Sequence, residues 1–211
     1  MKDAVRAAWL DFSIRFEGYV PWLYLDVLGL VTIGVGNLVD PLALALELPF
    51  VHRDGSPASR EEVWSAWFAV KNRQDLAKRG HLAFEALTHV RMTREGVEKL
   101  VLGKLVQNEL VLVQRWPGWH EWPADAQLGA LSMAWAAGPK FYAPKFTAAA
   151  AAKDFLTCAK ECRFQDANNP GLRPRNDANQ VCFQNAARVL MAGLDPYVLR
   201  YPTVVLEPVE V

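Results

Sequence analysis

The spacing of apolar residues divides the chain into helical segments and one short β region near its N-terminus. Apolar side chains recur at three- and four-residue steps over residues 3–16, which is the period of an amphipathic helix. Residues 22–39 differ, because β-branched and aromatic residues form two short runs around a turn at 26–29. This second pattern predicts a β-hairpin. Gly34 and Gly36 mark places where a ligand or another backbone segment comes close.

Helical periodicity returns after a proline-rich connector at 40–58. A capping box at 59–62 marks the start of the next helix, because its serine and glutamate side chains each accept a hydrogen bond from a free backbone N–H. The periodicity predicts helices at 59–79, 93–115, 124–137, 145–164 and 176–192, a break at 168–171 and an extended tail at 196–211. Five or six helices beside one short β region predict an α+β fold in which helices dominate.

The length of 211 residues allows one domain, or one domain folded as two lobes around a single cleft. A chain of this size buries roughly 70% of its unfolded surface, so it needs neither a metal nor a disulfide to hold its core.

Charge and hydropathy argue against two classes of protein, those that bind nucleic acid and those that insert into membranes. The 23 basic and 23 acidic residues balance, which argues against a protein that binds nucleic acid by neutralising phosphates. No apolar run approaches the roughly 20 residues of a membrane helix, so we expect no membrane insertion. The N-terminus lacks the apolar core of a signal peptide, which predicts synthesis in the cytoplasm without one. We also expect a monomer.

Three cysteines, Cys158, Cys162 and Cys182, leave several interpretations open. All three can be small core residues. In an oxidising compartment, Cys182 can instead form a disulfide with one of the other two. A cysteine–histidine nucleophilic pair also stays open, since such partners need not be near each other in the chain. The four histidines lack the short spacing of zinc ligands, so we expect no metal site.

Two carboxylates near the predicted hairpin suggest acid–base chemistry. Glu17 lies at the predicted end of the first helix, Asp26 follows in the hairpin turn, and Thr32 lies in the returning strand. Glycoside hydrolysis requires such a pair, because one carboxylic acid protonates the leaving oxygen and the other group assists the nucleophile. Solvated or capping carboxylates at a helix end and a turn would give the same pattern.

The residues around this pair are more specific than their charges. The string E-G-x(5)-Y-x-D-x(2)-G-x(2)-T-I-G-x-G resembles the signature of the phage-type lysozymes, glycoside hydrolase family 24. Segments 92–95, 125–138 and 171–175 resemble later parts of the same family more weakly. Every fixed position of the signature is present: Glu17, Gly18, Tyr24, Asp26, Gly29, Thr32, Ile33, Gly34 and Gly36.

This resemblance implies a two-lobed lysozyme-like fold and an enzyme that cleaves the β-1,4 bond between N-acetylmuramic acid and N-acetylglucosamine. The smaller, β-containing lobe would comprise about residues 15–58, and the larger, helical lobe would comprise 1–14 and 59–211. Glu17 matches the general acid, and Asp26 matches the second catalytic carboxylate. Thr32 matches the residue that, together with the aspartate, holds the attacking water. The resemblance further implies inversion at the anomeric carbon and no cofactor.

Substrate contacts follow from the same resemblance at Tyr24, Leu38, Trp135 and Arg175. Core packing is the alternative for Trp135, whose predicted helix is apolar on most faces. Arg175 would meet a peptidoglycan carboxylate, or it is simply solvated. The tryptophan-rich loop at 116–122 would stack on sugars or clamp the lobes together.

The chain departs from the family at Asn37, Asn176 and Asn179, and its connector at 40–58 is long. Its second half is more similar to the pesticin and type VI secretion branch of the superfamily. The resemblance therefore implies a phage endolysin or a secreted antibacterial effector that acts on the periplasm or cell wall of a bacterium. Its partners would be peptidoglycan glycan strands and, for an effector, a secretion-machine carrier or an immunity protein. Two alternatives remain: a non-catalytic peptidoglycan-binding module and a chitinase-like enzyme.

Overall fold

The structure is a computed structural model that describes residues 1–167 and 169–204. Within these residues the helices are α1 (Asp3–Glu17), α2 (Leu42–Ala45), α3 (Arg60–Lys71), α4 (Arg94–Arg115), α5 (Ala124–Ala137), α6 (Pro144–Ala151), α7 (Phe155–Glu161) and α8 (Arg173–Met191). The strands are β1 (Val20–Leu25), β2 (Val31–Gly34), β3 (Asn37–Leu38), β4 (Phe50–Val51) and β5 (Arg91–Met92). Short 3₁₀ helices are Gln74–Arg79, His81–Leu87, Trp119–Glu121 and Pro170–Leu172. The mainly helical α+β class is confirmed.

Two small antiparallel sheets account for the strands of the described residues. Strands β1, β2 and β3 form the first sheet in that order. Strand β4 pairs with β5, which brings the connector after α2 against the residues just before α4. The predicted hairpin is therefore present and gains a third, short strand.

Two predicted helices are shorter than the apolar period suggested. The helix predicted at 59–79 ends at Lys71, where the Gln74 side chain donates to the Lys71 carbonyl and a 3₁₀ helix follows. The helix predicted at 145–164 is broken into α6 and α7. Lys153 takes the left-handed conformation (φ 56°), and the Asp154 side chain caps α7 by accepting from the Thr157 N–H. At both places the helix is interrupted where local polar contacts form, although the apolar periodicity continues.

The chain divides into two compact units, which we call unit 1 and unit 2. Unit 1 comprises residues 1–12 and the described residues from 104 onward, and unit 2 comprises residues 13–103. Residues 59–103, which the sequence assigned to the helical lobe, belong to the same unit as the hairpin. The β4–β5 pairing and the packing of α3 against β1 provide the physical reason. The predicted break includes Asn168, and the predicted tail includes residues 205–211. Both of these parts lie outside the described residues.

An aromatic cluster forms the core of unit 1. Trp116, Trp119 and Trp122 are almost fully buried, and Trp122 lies 5.2 Å from Trp116 and 5.1 Å from Trp119 between ring centroids. Phe155 packs edge-on against Trp122 at 5.3 Å. These rings expose no face on which a sugar could stack, so the tryptophan-rich loop serves packing within unit 1.

The three cysteines are free and buried in unit 1. Burial raises the pKa of the Cys158 and Cys162 thiols to about 12, which keeps them protonated. Burial also raises the pKa of Cys182. The interpretation of these residues as small core residues is confirmed, and thiols of this kind are poor nucleophiles.

A buried carboxylate fixes the C-terminal segment to α5. Asp125 Oδ1 accepts from the Asn185 side chain (3.1 Å) and the Tyr201 N–H (2.8 Å), and its Oδ2 accepts from the Arg200 N–H (3.0 Å). The Ala124 N–H donates to the Pro196 carbonyl at 2.8 Å. The described part of the predicted extended tail is therefore a series of turns held by α5.

We predict that Asp125 gives the protein a distinctive pH dependence. Burial raises the pKa of this carboxyl above its ordinary value of 3.8, so the folded state binds the proton more tightly than the unfolded chain does. The contribution of Asp125 to the free energy of unfolding is therefore fully present below the ordinary pKa and is lost as pH rises through the raised one. Relative to Asp125→Asn, the wild type should lose stability with rising pH in urea unfolding.

The control is Asp54→Asn. Hydrogen bonds from Ser56 lower the pKa of Asp54, so the wild type should gain stability over that variant as pH rises. A wild-type advantage over Asp125→Asn that grows with pH would contradict the assignment.

Candidate functional site

All the signature residues lie in unit 2, and the first of them, Glu17, lies at the end of helix α1. The Gly18 N–H donates to the Ile14 carbonyl at 3.0 Å and closes the last turn of the helix. Gly18 then takes a φ of +73°, which favours glycine and redirects the chain into β1. Glu17 is consequently the last helical residue, at the point where the chain turns into the sheet.

Three of the predicted site residues form one row across the sheet. Tyr24 of β1 pairs with Thr32 of β2, and Thr32 pairs with Leu38 of β3. Residues directly opposite each other on neighbouring strands project to the same face. Thr32 is buried in the middle of the row, and Leu38 is 47% exposed at its edge.

Asp26 and Thr32 are linked through the peptide groups of Leu30. Asp26 Oδ1 accepts from the backbone N–H groups of Leu28 and Leu30, both at 2.9 Å. Thr32 Oγ1 donates to the Leu30 carbonyl at 3.1 Å. Among the described residues, both of these Asp26 bonds use Oδ1. The arrangement leaves Asp26 Oδ2 and the lone pairs of Thr32 Oγ1 as acceptors for a small polar molecule.

The Glu17 carboxylate lies beside the β2–β3 turn. Its Oε2 is 3.7 Å from the position that a Cβ at Gly36 would occupy. Gly36 has a φ of +77°, which a residue with a side chain rarely adopts. Asn37 supports the same turn from a buried position, where its Oδ1 accepts from the Val35 N–H at 3.3 Å. Asn37 thus has a structural role in this turn.

Tyr24 is the shared neighbour of both carboxylates. Burial, together with the negative charges of Glu17 and Asp26, raises the pKa of its phenol to about 12. Both charges therefore act on one hydroxyl group. The phenol stays neutral at physiological pH and keeps a proton to donate.

Residues that the sequence did not single out support the Asp26 turn. Lys71 Nζ donates to the Gly29 carbonyl at 3.1 Å and pairs with Asp40 Oδ2 at 2.5 Å. Asp40 Oδ2 also accepts from the Val31 N–H at 3.2 Å. The Gln74 side chain donates to the same Gly29 carbonyl at 3.2 Å. No local pattern marks these contacts, since α3 lies more than 30 residues beyond the turn in sequence.

His81 is a second residue that the sequence did not single out. Its ring meets the Tyr24 ring edge-on at 6.1 Å, and its carbonyl accepts from Trp22 Nε1 at 3.0 Å. It belongs to a 3₁₀ helix without an apolar period, so no sequence signal pointed to it.

We predict that Gly29→Ala destabilises the protein by about 1–3 kcal/mol through the Asp26 turn. Gly29 has a φ of +75°, and a Cβ there would lie 2.1 Å from Gln74 Oε1, displacing the Gln74 side chain. Gly55→Ala is the matched control, because Gly55 has a φ of +87° and nothing within 4 Å of its Cβ position. Urea unfolding should show the larger loss at Gly29. Equal losses would mean that the Gln74 contact contributes nothing.

The other two predicted substrate contacts lie in unit 1. Trp135 is 7% exposed and packs on Trp9 at 5.5 Å between centroids, with Lys104 Nζ 4.4 Å from its ring centre. This burial favours the core-packing interpretation of Trp135. Arg175 is buried at the start of α8 and donates to the Ser132 carbonyl at 3.2 Å, so it is not a solvated surface arginine.

The described residues contain no group of three histidine, cysteine, aspartate or glutamate side chains that could hold a metal ion. Within the same residues, the helices are too short or too polar to span a bilayer. No protein-family model, curated protein or solved structure matches this chain.

Proposed function

We propose that this protein is a peptidoglycan muramidase that cleaves the β-1,4 bond between N-acetylmuramic acid and N-acetylglucosamine. One observation carries the proposal. The Asp26 carboxylate and the Thr32 hydroxyl both bond to peptide groups of Leu30, and Thr32 lies directly across the strand pair from Tyr24. The Glu17 carboxylate lies beside the β2–β3 turn of the same sheet, so the two carboxylates and the threonine of the signature belong to one small region of unit 2.

The geometry around Asp26 supports a single displacement by water. A water molecule at this site would donate one hydrogen bond to Asp26 and the other to Thr32 Oγ1, whose proton is already donated to the Leu30 carbonyl. As the water oxygen attacks the anomeric carbon, its proton passes to the Asp26 carboxylate. Protonated Glu17 donates its proton to the departing glycosidic oxygen. The sugar is released with inverted configuration.

Tyr24 and Leu38 would bind the substrate beside these groups. The neutral Tyr24 phenol offers a hydrogen-bond donor that both carboxylates influence. Leu38 offers an exposed apolar surface at the sheet edge. The proposal requires no metal or cofactor, since two carboxylates and a water molecule suffice for the reaction.

The proposal includes a lysozyme-like fold, for which the two compact units would be the two lobes. The biological setting follows from the substrate: an endolysin or secreted effector that acts on a bacterial cell wall. A secretion-machine carrier or an immunity protein would be its further partner in the effector case.

Incubation with purified insoluble sacculi tests the proposal. We expect the protein to release soluble reducing sugar, and to do so faster than from chitin, which lacks muramic acid. Sacculi that retain the protein without releasing sugar would instead indicate a binding module. Faster release from chitin would indicate a chitinase-like enzyme.

A further inference from the structure

A cavity in unit 2 lies apart from the signature residues. It has a volume of about 410 Å³ and is lined by Leu46, Arg60, Glu61 and Trp64. It is open to solvent, so a ligand would lie in it with one side exposed. The cavity lies between the end of α2 and the first turns of α3.

Trp64 provides a flat apolar platform at this cavity. The side chain is 51% exposed, although tryptophan is usually well buried. Its ring lies 4.5 Å from that of Phe68, which meets the buried Trp67 edge-on at 5.1 Å. Trp67 Nε1 donates to the Val39 carbonyl at 2.9 Å. The exposed ring is therefore held in place by a stack of aromatic side chains that reaches the core.

Charged side chains surround the platform. Arg60 Nη1 donates to the Leu46 carbonyl at 3.2 Å and lies 3.7 Å from Glu47 Oε1. Among the described residues, both of these contacts use Nη1, so the rest of the guanidinium can donate to a ligand. Glu61 contributes an exposed acceptor to the same lining. An aromatic face in one lining with a donor and an acceptor suits a pyranose ring with an amide substituent.

We propose that this cavity is an accessory binding site for the N-acetylated glycan strand of peptidoglycan. The Trp64 ring would stack against the C–H face of one sugar. Arg60 would bind a lactyl or peptide carboxylate, which matches its charge, and Glu61 would accept from an acetamide N–H. The choice of glycan rests on the proposed function, since the site would hold a second stretch of the same polymer.

Binding is best measured on the Glu17→Gln variant, which should bind glycan without cleaving it. The probe is the soluble hexamer of N-acetylglucosamine, and the readout is the Trp64 indole N–H resonance, assigned by its loss in Trp64→Phe. We expect this resonance to shift on titration. An unmoved Trp64 resonance, with other indole signals shifting, would overturn the proposal.

Sedimentation with sacculi provides a second test. In the Glu17→Gln background, Trp64→Ala should weaken retention by about tenfold, as expected for truncation of a central aromatic contact. Tyr142→Ala is the matched control, because Tyr142 is an aromatic side chain 92% exposed in unit 1, and it should retain full binding. Equal retention of the two variants would contradict the proposal.

Failure of this site and failure of the muramidase proposal give different results. Absence of released sugar from the wild type contradicts the muramidase proposal, whereas the Trp64 resonance reports binding without turnover.

Discussion

Glu17→Gln should abolish sugar release from sacculi, with a loss of at least about 10²–10⁴-fold in rate. Glutamine keeps the size of the side chain but cannot supply a proton to the glycosidic oxygen. Because Glu17 is the last residue of α1, the substitution leaves the helix and the turn into β1 intact. Initial rates on sacculi measure the effect, and circular dichroism checks the fold.

Glu95→Gln is the matched control. Glu95 lies in the first turn of α4 and is exposed, with Lys99 as its ion-pair partner at 3.0 Å. This substitution also removes one carboxylate from unit 2, and it should leave the rate unchanged. Full activity in Glu17→Gln would exclude Glu17 as the general acid.

Asp26→Asn should reduce the rate by about 10²-fold or more while the stability changes by less than about 0.5 kcal/mol. Asparagine retains an acceptor oxygen for the Leu28 and Leu30 N–H groups, so the turn persists. It cannot accept the proton of the attacking water. Rates on sacculi and urea unfolding measure the two effects separately.

Asp26→Ala should lose the same activity and in addition about 1–2 kcal/mol of stability, because both N–H groups lose their acceptor. Asp54→Asn is the control for a turn aspartate outside the site, since Asp54 Oδ1 accepts from the Ser56 N–H at 2.9 Å in the same manner. Retention of activity in Asp26→Asn would restrict Asp26 to a structural role.

The local part of the site was predictable from the sequence. The end of α1, the hairpin turn at Asp26 and the return strand with Thr32 depend on glycines and on residues within a few positions of one another. Alternation across the strands then places Tyr24 and Thr32 on the same face.

The long-range part was not predictable. Lys71, at the end of α3, and Gln74, in the 3₁₀ helix that follows, both donate to the Gly29 carbonyl, and no local sequence pattern indicates that contact. The break at Lys153 also escaped prediction, because alanine-rich sequence favours a continuous helix, whereas the Asp154 side chain caps the start of a new helix, α7. Burial of Arg175 depends on the packing of α8 against α5, which a single sequence does not specify.

The most direct test of the muramidase proposal is mass spectrometry of the soluble products that the wild type and Glu17→Gln release from purified sacculi, after borohydride reduction of the new ends. We expect disaccharide-peptides with reduced muramic acid from the wild type alone. Products that end in reduced glucosamine, equal products from both proteins, or no products from the folded wild type would contradict it.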